Sequence, residues 1–328
     1  MDADTRMSAR ERNRRHFLRL AAAAAAAAPA APVAGSQSPP TDQRRVAPDS
    51  EGLTHYRIGP HIWLRWHNEP LLGYRAHATQ KYPYVFPLTG PESGLSLTSE
   101  SSLPWPHHRS LFFGCDFVNG GNYWQDDLER GQIISRGPGV AEATNRSAVI
   151  VDVCDWRQPG QPVQMTDERR LTVSVPGPRL RVLDVDITWT AVVDVTIQKT
   201  NHALFAIRAA SDLTPWGGGR LVSSDGQEGE AATFGKPARW CAFYGQRTKA
   251  KGEPVEGIAL MDHPESPWAP CPWFTRDYGI MSPMPFNWID LNWRLPAGQS
   301  VRIRHRVVAF AGDPREAGLD GLYRQWTG

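Results

Sequence analysis

Residues 148–199, AVIVDVCDWRQPGQPVQMTDERRLTVSVPGPRLRVLDVDITWTAVVDVTIQK, decide the fold class. Apolar and polar residues alternate through this stretch, Val, Ile and Thr are frequent, and Pro and Gly interrupt it. Alternation over a short segment is typical of a half-buried β-strand, and Gly and Pro mark the turns between strands. The stretch therefore predicts four strands, at Ala148–Trp156, Gln164–Val175, Val182–Thr190 and Val192–Lys199.

The same pattern continues on both sides of this stretch. Further strands are predicted at His55–Ile58, Ile62–Trp66, Glu69–Arg75, Ser110–Phe113, Gly131–Arg136, Ala203–Ala209, Trp240–Gln246, Val255–Asp262, Trp288–Trp293 and Ser300–Phe310. The best helix candidate is Leu319–Trp326 at the C-terminus. Closely spaced strands without helices between them predict an all-β chain with few or no helices. We expect a large antiparallel β-sandwich, supersandwich-like, forming a single domain over residues 52–328.

The N-terminal residues have the order of an export signal. Residues 14–20, RRHFLRL, precede the eight alanines of residues 21–28. A charged segment, a weakly apolar run and small residues predict a twin-arginine signal peptide over residues 1–35. The polar, Pro-rich residues 36–51 predict a disordered linker. No later stretch approaches the about 18 consecutive apolar residues of a transmembrane helix. We expect a periplasmic or secreted protein with no membrane span in the mature chain.

The composition favours a small-molecule or glycan ligand over nucleic acid. The formal net charge is +2, from 36 Lys and Arg against 34 Asp and Glu, so no bulk positive field attracts nucleic acid. The chain also contains 13 Trp. Most Trp side chains pack in protein cores, but an exposed Trp is a common platform for a sugar ring.

Four cysteines, Cys115, Cys154, Cys241 and Cys271, lie far apart in the sequence. Their even number in an oxidising compartment would allow up to two disulfides, with the pairing left open. Buried free thiols in apolar segments are the alternative. The absence of a CxxC motif disfavours a structural zinc knuckle.

Residues 84–124 contain the densest candidate chemistry. Their centre is WPHHR at residues 105–109, directly before a predicted strand. Neighbouring strand residues point to opposite faces, so His107 and His108 share a site only if they lie on the turn, which the flanking prolines favour. The polar and aromatic residues that follow and complete this first cluster are Asp116, Asn119 and Trp124.

Three more clusters place polar side chains near aromatic ones at strand ends. His202 opens a strand, and Arg208 lies on the same face about 20 Å along it. Asp262 precedes His263 and can orient its ring. Residues 273–278, WFTRDY, combine Trp, Arg and Tyr in a pattern suited to stacking and to binding carboxylates or sugar hydroxyls. A sandwich gathers strand ends at one rim, so we expect these clusters to share a cleft.

These residue types support more than one chemistry. Histidines titrate near neutral pH and can move a proton at a sugar carbon or a glycosidic oxygen. A carboxylate pair drawn from Asp116, Glu168 and Asp262 would instead indicate a glycosidase. A metal site built from His107 or His108 with His202 and His263 is a further alternative. The sequence requires no cofactor, and the identity of any cofactor stays unknown.

Several motifs occur in a fixed order: PLTGP at 87–91, PHHR at 106–109, VNG at 118–120 with Trp124, NHALFAIR at 201–208, DHP at 262–264, and Trp273 with YG at 278–279. Through them nearly all of the mature chain resembles a PmoA-like bacterial family of unknown function, also catalogued as methane oxygenase PmoA. Ser110 departs from the family's usual Gly after His-His-Arg. The resemblance implies an exported or cytoplasmic β-sandwich, of a kind often found near sugar oxidoreductases and glycan-degrading proteins.

Together these observations predict a carbohydrate-active enzyme, a hydrolase, lyase or epimerase acting on a glycoside or an oxidised sugar. The predicted catalytic residues are His107, His108, Arg109, His202 and His263. The predicted substrate-binding residues are Trp124, Asn119, Arg208, Trp273, Arg276 and Tyr278. The alternatives are a non-catalytic sugar-binding module and a metal-dependent oxygenase, as the family label suggests.

Overall fold

A computed structural model describes residues 51–125 and 127–328 of the chain. The predicted signal peptide, residues 1–35, lies outside the described residues, and so does the predicted linker except for Glu51. The strands are β1 (Leu53–Ile58), β2 (His61–Trp66), β3 (Glu69–Arg75), β4 (Tyr84–Leu88), β5 (Leu111–Val118), β6 (Gly121–Asn122), β7 (Gln132–Ser135), β8 (Gly139–Ala143), β9 (Ser147–Arg157), β10 (Met165–Gly177), β11 (Leu180–Ala191), β12 (Val195–Ile197), β13 (Ala203–Arg208), β14 (Arg220–Ser223), β15 (Trp240–Gln246), β16 (Val255–Asp262), β17 (Trp273–Arg276), β18 (Ile280–Pro283), β19 (Trp293–Leu295) and β20 (Ser300–Ala311). The helices are α1 (Gly229–Thr233) and α2 (Leu319–Thr327), with 3-10 turns at Leu128–Arg130, Ser211–Leu213, Pro215–Gly217 and Pro285–Asn287.

The described strands form two antiparallel sheets. The first has the order β1-β2-β3-β4-β5-β13-β18-β17, with β6 and β12 paired to β5 and β19 paired to β12. The second has the order β14-β15-β16-β20-β11-β10-β9-β7, with β8 paired to β9. The prediction of an all-β sandwich is therefore confirmed.

The two sheets bury a shared core. Along β10 and β11, buried side chains alternate with less buried ones, as expected for strands that pack one face on a core. Phe113 of the first sheet packs edge-on against Trp156 and Trp189 of the second, with ring centroids 5.8 and 5.9 Å apart. These contacts fix which ends of the two sheets lie together.

Most predicted strands agree with the structure to within a few residues, and Glu69–Arg75, Trp240–Gln246 and Val255–Asp262 agree at both ends. The prediction of a strand at Trp288–Trp293 is wrong, because residues 285–287 form a 3-10 turn and β19 begins only at Trp293. Leu291 in this segment is 84% exposed, so its apolar side chain does not mark a packed strand. The strands β4, β6, β8, β14, β17 and β18 were not predicted.

All four cysteines are buried free thiols. Burial raises the pKa of each thiol well above its usual range, so the thiolate form is disfavoured. Within the described part of the chain, no helix is both long and apolar enough to cross a membrane.

Candidate functional site

The pairing of β5 with β13 places His202 beside Asp116. In this antiparallel pair Ala203 lies opposite Cys115, and one step further the backbone N–H of Asp116 donates to the carbonyl of His202 at 2.8 Å. The imidazole Nδ1 of His202 lies 3.7 Å from a carboxylate oxygen of Asp116. The His202 side chain keeps 25% of its surface exposed, whereas that of Asp116 keeps 7%. The sheet register therefore holds a partly accessible histidine against a buried carboxylate.

His107 and His108 lie on a turn, which is the condition under which two adjacent residues can face the same site. The N–H of His108 donates to the carbonyl of Trp105 at 3.1 Å, and the phenol of Tyr82 donates to the carbonyl of His107 at 2.5 Å. The two imidazole centroids are 4.5 Å apart. The His107 ring also lies 6.2 Å from the His202 ring, so the turn and the β5–β13 pair meet at one site.

Arg208 enters the same site from the other end of β13. Its backbone N–H donates to the carbonyl of Ser110 at 2.7 Å, which anchors it beside the turn. Its guanidinium donates to Nδ1 of His108 at 3.4 Å and to the carbonyl of Leu103 at 3.2 Å, and it lies 4.6 Å from the ring centroid of Tyr278. Arg208 is only 3% exposed. Within residues 51–125 and 127–328 its Nε has no hydrogen-bond partner and no carboxylate pairs with it.

Tyr278 stacks on His108, with ring centroids 6.1 Å apart and planes within 9°. It lies in the tight turn between β17 and β18, where Gly279 has φ +110°. A Cβ at Gly279 would come within 2.6 Å of Thr214, so the turn needs glycine both for its backbone angle and for space. Trp124, fully buried, completes the group at 6.4 Å from His108 and 5.8 Å from His202. We call the following residues the ring cluster: His107, His108, Trp124, His202, Arg208 and Tyr278.

Burial and nearby charges determine the protonation of two ring-cluster residues, His108 and Tyr278. Burial, together with the nearby His107, Arg208 and His202, lowers the pKa of His108 to about 2. His108 is therefore a neutral imidazole at physiological pH. Arg208 can only donate, so Nδ1 of His108 accepts and its proton is on Nε2. Burial also raises the pKa of Tyr278 to about 12 despite the opposing charge of Arg208, which keeps the phenol protonated.

Two exposed tryptophans border the ring cluster. Trp105 is 45% exposed and its ring lies 6.4 Å from Tyr278, while Trp216 is 71% exposed and lies 5.7 Å from the same ring. The backbone N–H of Trp216 donates to the carbonyl of Asp277 at 3.3 Å. This bond joins the 3-10 turn at Pro215–Gly217 to the β17–β18 turn. Exposed aromatic surface therefore lies next to Tyr278, whereas His108 and Arg208 are buried at 4% and 3% exposure.

His263 lies away from the ring cluster. It follows β16 in the second sheet, where its ring packs 4.7 Å from Trp326 of α2. Its Nδ1 accepts the backbone N–H of Glu265 at 3.1 Å. The structure therefore gives His263 a role in docking the C-terminal helix. Of the other carboxylates considered, Glu168 and Asp262 also belong to the second sheet.

Other predicted site residues make structural contacts. Trp273 is fully buried and donates its indole N–H to the carbonyl of Ala238. Arg276 lies over Phe234 and Phe274, at 4.1 and 4.3 Å from their ring centroids. Trp273 therefore offers no ring surface to a ligand, whereas Arg276 keeps 26% of its side chain exposed and pairs with Glu230 at 3.2 Å.

Asn119 and Arg109 also lie outside the ring cluster. The Asn119 amide donates to Gln164 and to the carbonyl of Asp194, and its oxygen accepts the N–H of Thr196. Arg109 acts on Tyr84, where its charge opposes the rise in the Tyr84 pKa that burial causes. Asn119 thus joins neighbouring loops, and the charge of Arg109 acts on the buried Tyr84 phenol.

The residues considered as metal ligands do not form one set, because His263 is on the other sheet. In the described ranges, no group of three or more His, Cys, Asp or Glu is placed to hold a metal ion. We therefore derive no chemical step through a metal.

Sequence reasoning missed Trp216 and treated Trp105 only as part of a motif. A signal for Trp216 was present, since it stands in TPWGGG at residues 214–219 without apolar neighbours. An isolated Trp among Pro and Gly residues has no strand or helix face on which to pack, and such a position favours exposure.

Comparison with known proteins adds a family without a known activity. No protein with a curated description matches the chain. A solved structure described as a polysaccharide lyase is similar at 11% identity, with 74% of this chain and 33% of that chain covered and a TM-score of 0.31. The chain thus spans about a third of that lyase, and a likeness at this score supports no argument about activity. The resemblance to the PmoA-like family stays a prediction. Residues 61–324, most of the chain, match the model of DUF6807, and the chain therefore belongs to this family of unknown function.

Proposed function

We propose that the protein is a carbohydrate-active enzyme that transfers a proton on a glycoside or an oxidised sugar within the ring cluster. One observation carries the proposal: the exposed rings of Trp105 and Trp216 lie 6.4 and 5.7 Å from Tyr278, which in turn contacts both His108 and Arg208. Aromatic rims bind the apolar face of a sugar, while polar groups beneath them reach its oxygens.

The protonation states favour distinct roles for the cluster residues. His202, partly exposed and 3.7 Å from Asp116, is positioned to accept a proton from a bound sugar. Tyr278 keeps its proton, with a pKa of about 12, and is suited to donate it to a leaving oxygen. His108 is excluded as the base, because its pKa of about 2 makes the imidazole a poor proton acceptor.

Arg208 favours elimination or epimerisation over simple hydrolysis. Removing a proton next to a carbonyl creates an oxyanion, and a fixed positive charge in a dry site stabilises that charge strongly. Arg208 is a buried cation that no described carboxylate neutralises. The oxyanion that develops on the substrate would then be the negative partner of the Arg208 guanidinium.

The test is a screen of the purified protein on glycosides and 3-keto-glycosides, measuring turnover and binding together. We expect turnover of an oxidised sugar, with binding weakened in Trp105→Ala and Trp216→Ala. Wild-type protein that neither turns over nor binds any sugar would overturn the proposal. Leu291→Ala is the control for unspecific loss of apolar surface, because Leu291 is an apolar residue outside the ring cluster and is 84% exposed.

A non-catalytic sugar-binding module is the second candidate, favoured by the high exposure of Trp216. It predicts that Tyr278→Phe binds sugar as tightly as wild type and that neither protein turns it over. The two candidates are thus separated by turnover, with binding as the common reference.

A further inference from the structure

A cavity of about 690 Å³ opens where turns of the two sheets meet. It is lined by residues around the β2–β3 turn, by the loop after β4, and by the β10–β11 turn. Its volume falls in the range of about 300–1,000 Å³ that is usual for ligand pockets. None of its lining residues belongs to the ring cluster, so we name it separately, as the Trp66 cavity.

Two arginines converge on one ring in the Trp66 cavity. The guanidinium carbons of Arg146 and Arg181 lie 6.0 and 5.6 Å from the ring centroid of Trp66. Arg181 is 7% exposed, and its Nη1 donates to the carbonyls of Gly177, Pro178 and Leu180. These bonds hold a buried guanidinium rigidly at the cavity wall, whereas Arg146 is exposed at its mouth.

No described carboxylate forms an ion pair with either arginine. The buried carboxylate of Glu256 accepts the backbone N–H groups of Glu92 and Ser93 and the Ser93 hydroxyl. It forms an ion pair with Arg247 at 3.8 Å, and its charge acts on Arg181 without an ion-pair contact. Two cations beside one indole repel each other, and an anion bound close to both lowers this repulsion.

The remaining wall indicates what kind of anion fits. Trp66, Pro70 and Pro178 supply apolar surface, while Glu69 and Glu92 are exposed acceptors. Glu92 is paired with Arg179 at 3.4 Å, so its charge is partly neutralised. Two glutamates repel a polyanion but accept hydrogen bonds from sugar hydroxyls. The cavity thus suits one negative charge on a hydroxylated ring.

We propose that the Trp66 cavity binds an acidic sugar, with its carboxylate on Arg146 and Arg181 and its ring against Trp66. The site is separate from the ring cluster, and the inference does not depend on the function proposed for that cluster.

The test is calorimetric titration of the full chain with three probes: D-glucuronate, D-glucose and acetate. Glucose lacks the charge and acetate lacks the ring, so we expect glucuronate to bind more tightly than either. Arg146→Gln should weaken glucuronate binding about tenfold, the effect of losing about 1.4 kcal/mol. Arg170→Gln, an exposed arginine paired with Glu142 at 2.7 Å, is the matched control and should leave binding unchanged.

Trp216→Ala distinguishes the two sites, since it alters only the rim of the ring cluster. Glucuronate binding that falls in Trp216→Ala but not in Arg146→Gln would overturn the inference. Equal binding of all three probes, or no binding of glucuronate, would overturn it as well.

Discussion

Replacing Arg208 by Met tests whether a buried charge serves function or stability. Arg208 and Arg169 are 3% and 5% exposed, but their partners differ. Arg169 donates to both carboxylate oxygens of Asp167, at 2.6 and 3.1 Å, whereas Arg208 has an imidazole and one carbonyl as acceptors. Arg169→Met is therefore the matched control for Arg208→Met.

The contacts give opposite expectations for the two variants. Arg208→Met loses a cation–π contact of about 1–2 kcal/mol and two long hydrogen bonds of about 1 kcal/mol each. It also removes the cost of burying an unpaired cation, which is several kcal/mol. We expect its free energy of unfolding to stay within about 2 kcal/mol of wild type. Arg169→Met leaves Asp167, fully buried, without its cation and should lose about 3–5 kcal/mol.

The assay combines urea unfolding with turnover of whichever sugar the screen identifies. We expect Arg208→Met to fold normally and to lose turnover by about 10²–10³, as for removal of an oxyanion-stabilising group. If Arg208→Met loses as much stability as Arg169→Met, or if it retains turnover, the buried charge of Arg208 does not serve catalysis as proposed.

Three further predictions concern the same site and the export signal. Ser110 has φ 60° and its hydroxyl donates to Thr98. Ser110→Gly relieves backbone strain but loses this hydrogen bond, so it should shift the free energy of unfolding by less than about 1 kcal/mol. Ser110→Val should lower it by more than about 2 kcal/mol in urea unfolding. The pKa of His108 in the folded protein is lowered to about 2, so below about pH 6.5 the unfolded chain binds a proton that the folded chain does not. The free energy of unfolding should therefore fall as the pH drops below about 6.5, by up to about 1.4 kcal/mol per pH unit. His108→Phe should reduce this slope in unfolding curves measured from pH 5 to 8. We propose twin-arginine export on the basis of residues 14–20, and changing both Arg14 and Arg15 to Lys should retain the protein in the cytoplasm, as measured by cell fractionation; unchanged export would contradict this.

The sequence predicts strands best where an apolar run is not broken by Pro in its interior. The strands β15 and β16 contain no Pro, and Pro70 lies next to the first residue of β3; all three strands were predicted at their observed ends. In contrast, β4 contains Pro87 in its interior and β18 ends at Pro283, and neither strand was predicted. Hydrogen bonds to the neighbouring strands hold these segments in the extended conformation, although Pro lowers their local β-propensity.

The site was less predictable because it depends on which sheet a strand joins. His202 and His263 both lie at strand ends and are equivalent in the sequence, but β13 pairs with β5 of the first sheet and β16 with β20 of the second. Residues that meet His108, such as Tyr278, reach it through non-local pairing of β13 with β18. When two strands are far apart in the sequence and no short turn joins them, the sequence alone does not indicate that they pair.

The most direct test of the ring cluster as an active site is to measure kcat and sugar Kd for wild type and Tyr278→Phe. We expect kcat to fall by about 10²–10⁴, the usual contribution of a positioned acid, while Kd changes less than about threefold. Unchanged kcat in Tyr278→Phe would contradict the proposed role of the ring cluster.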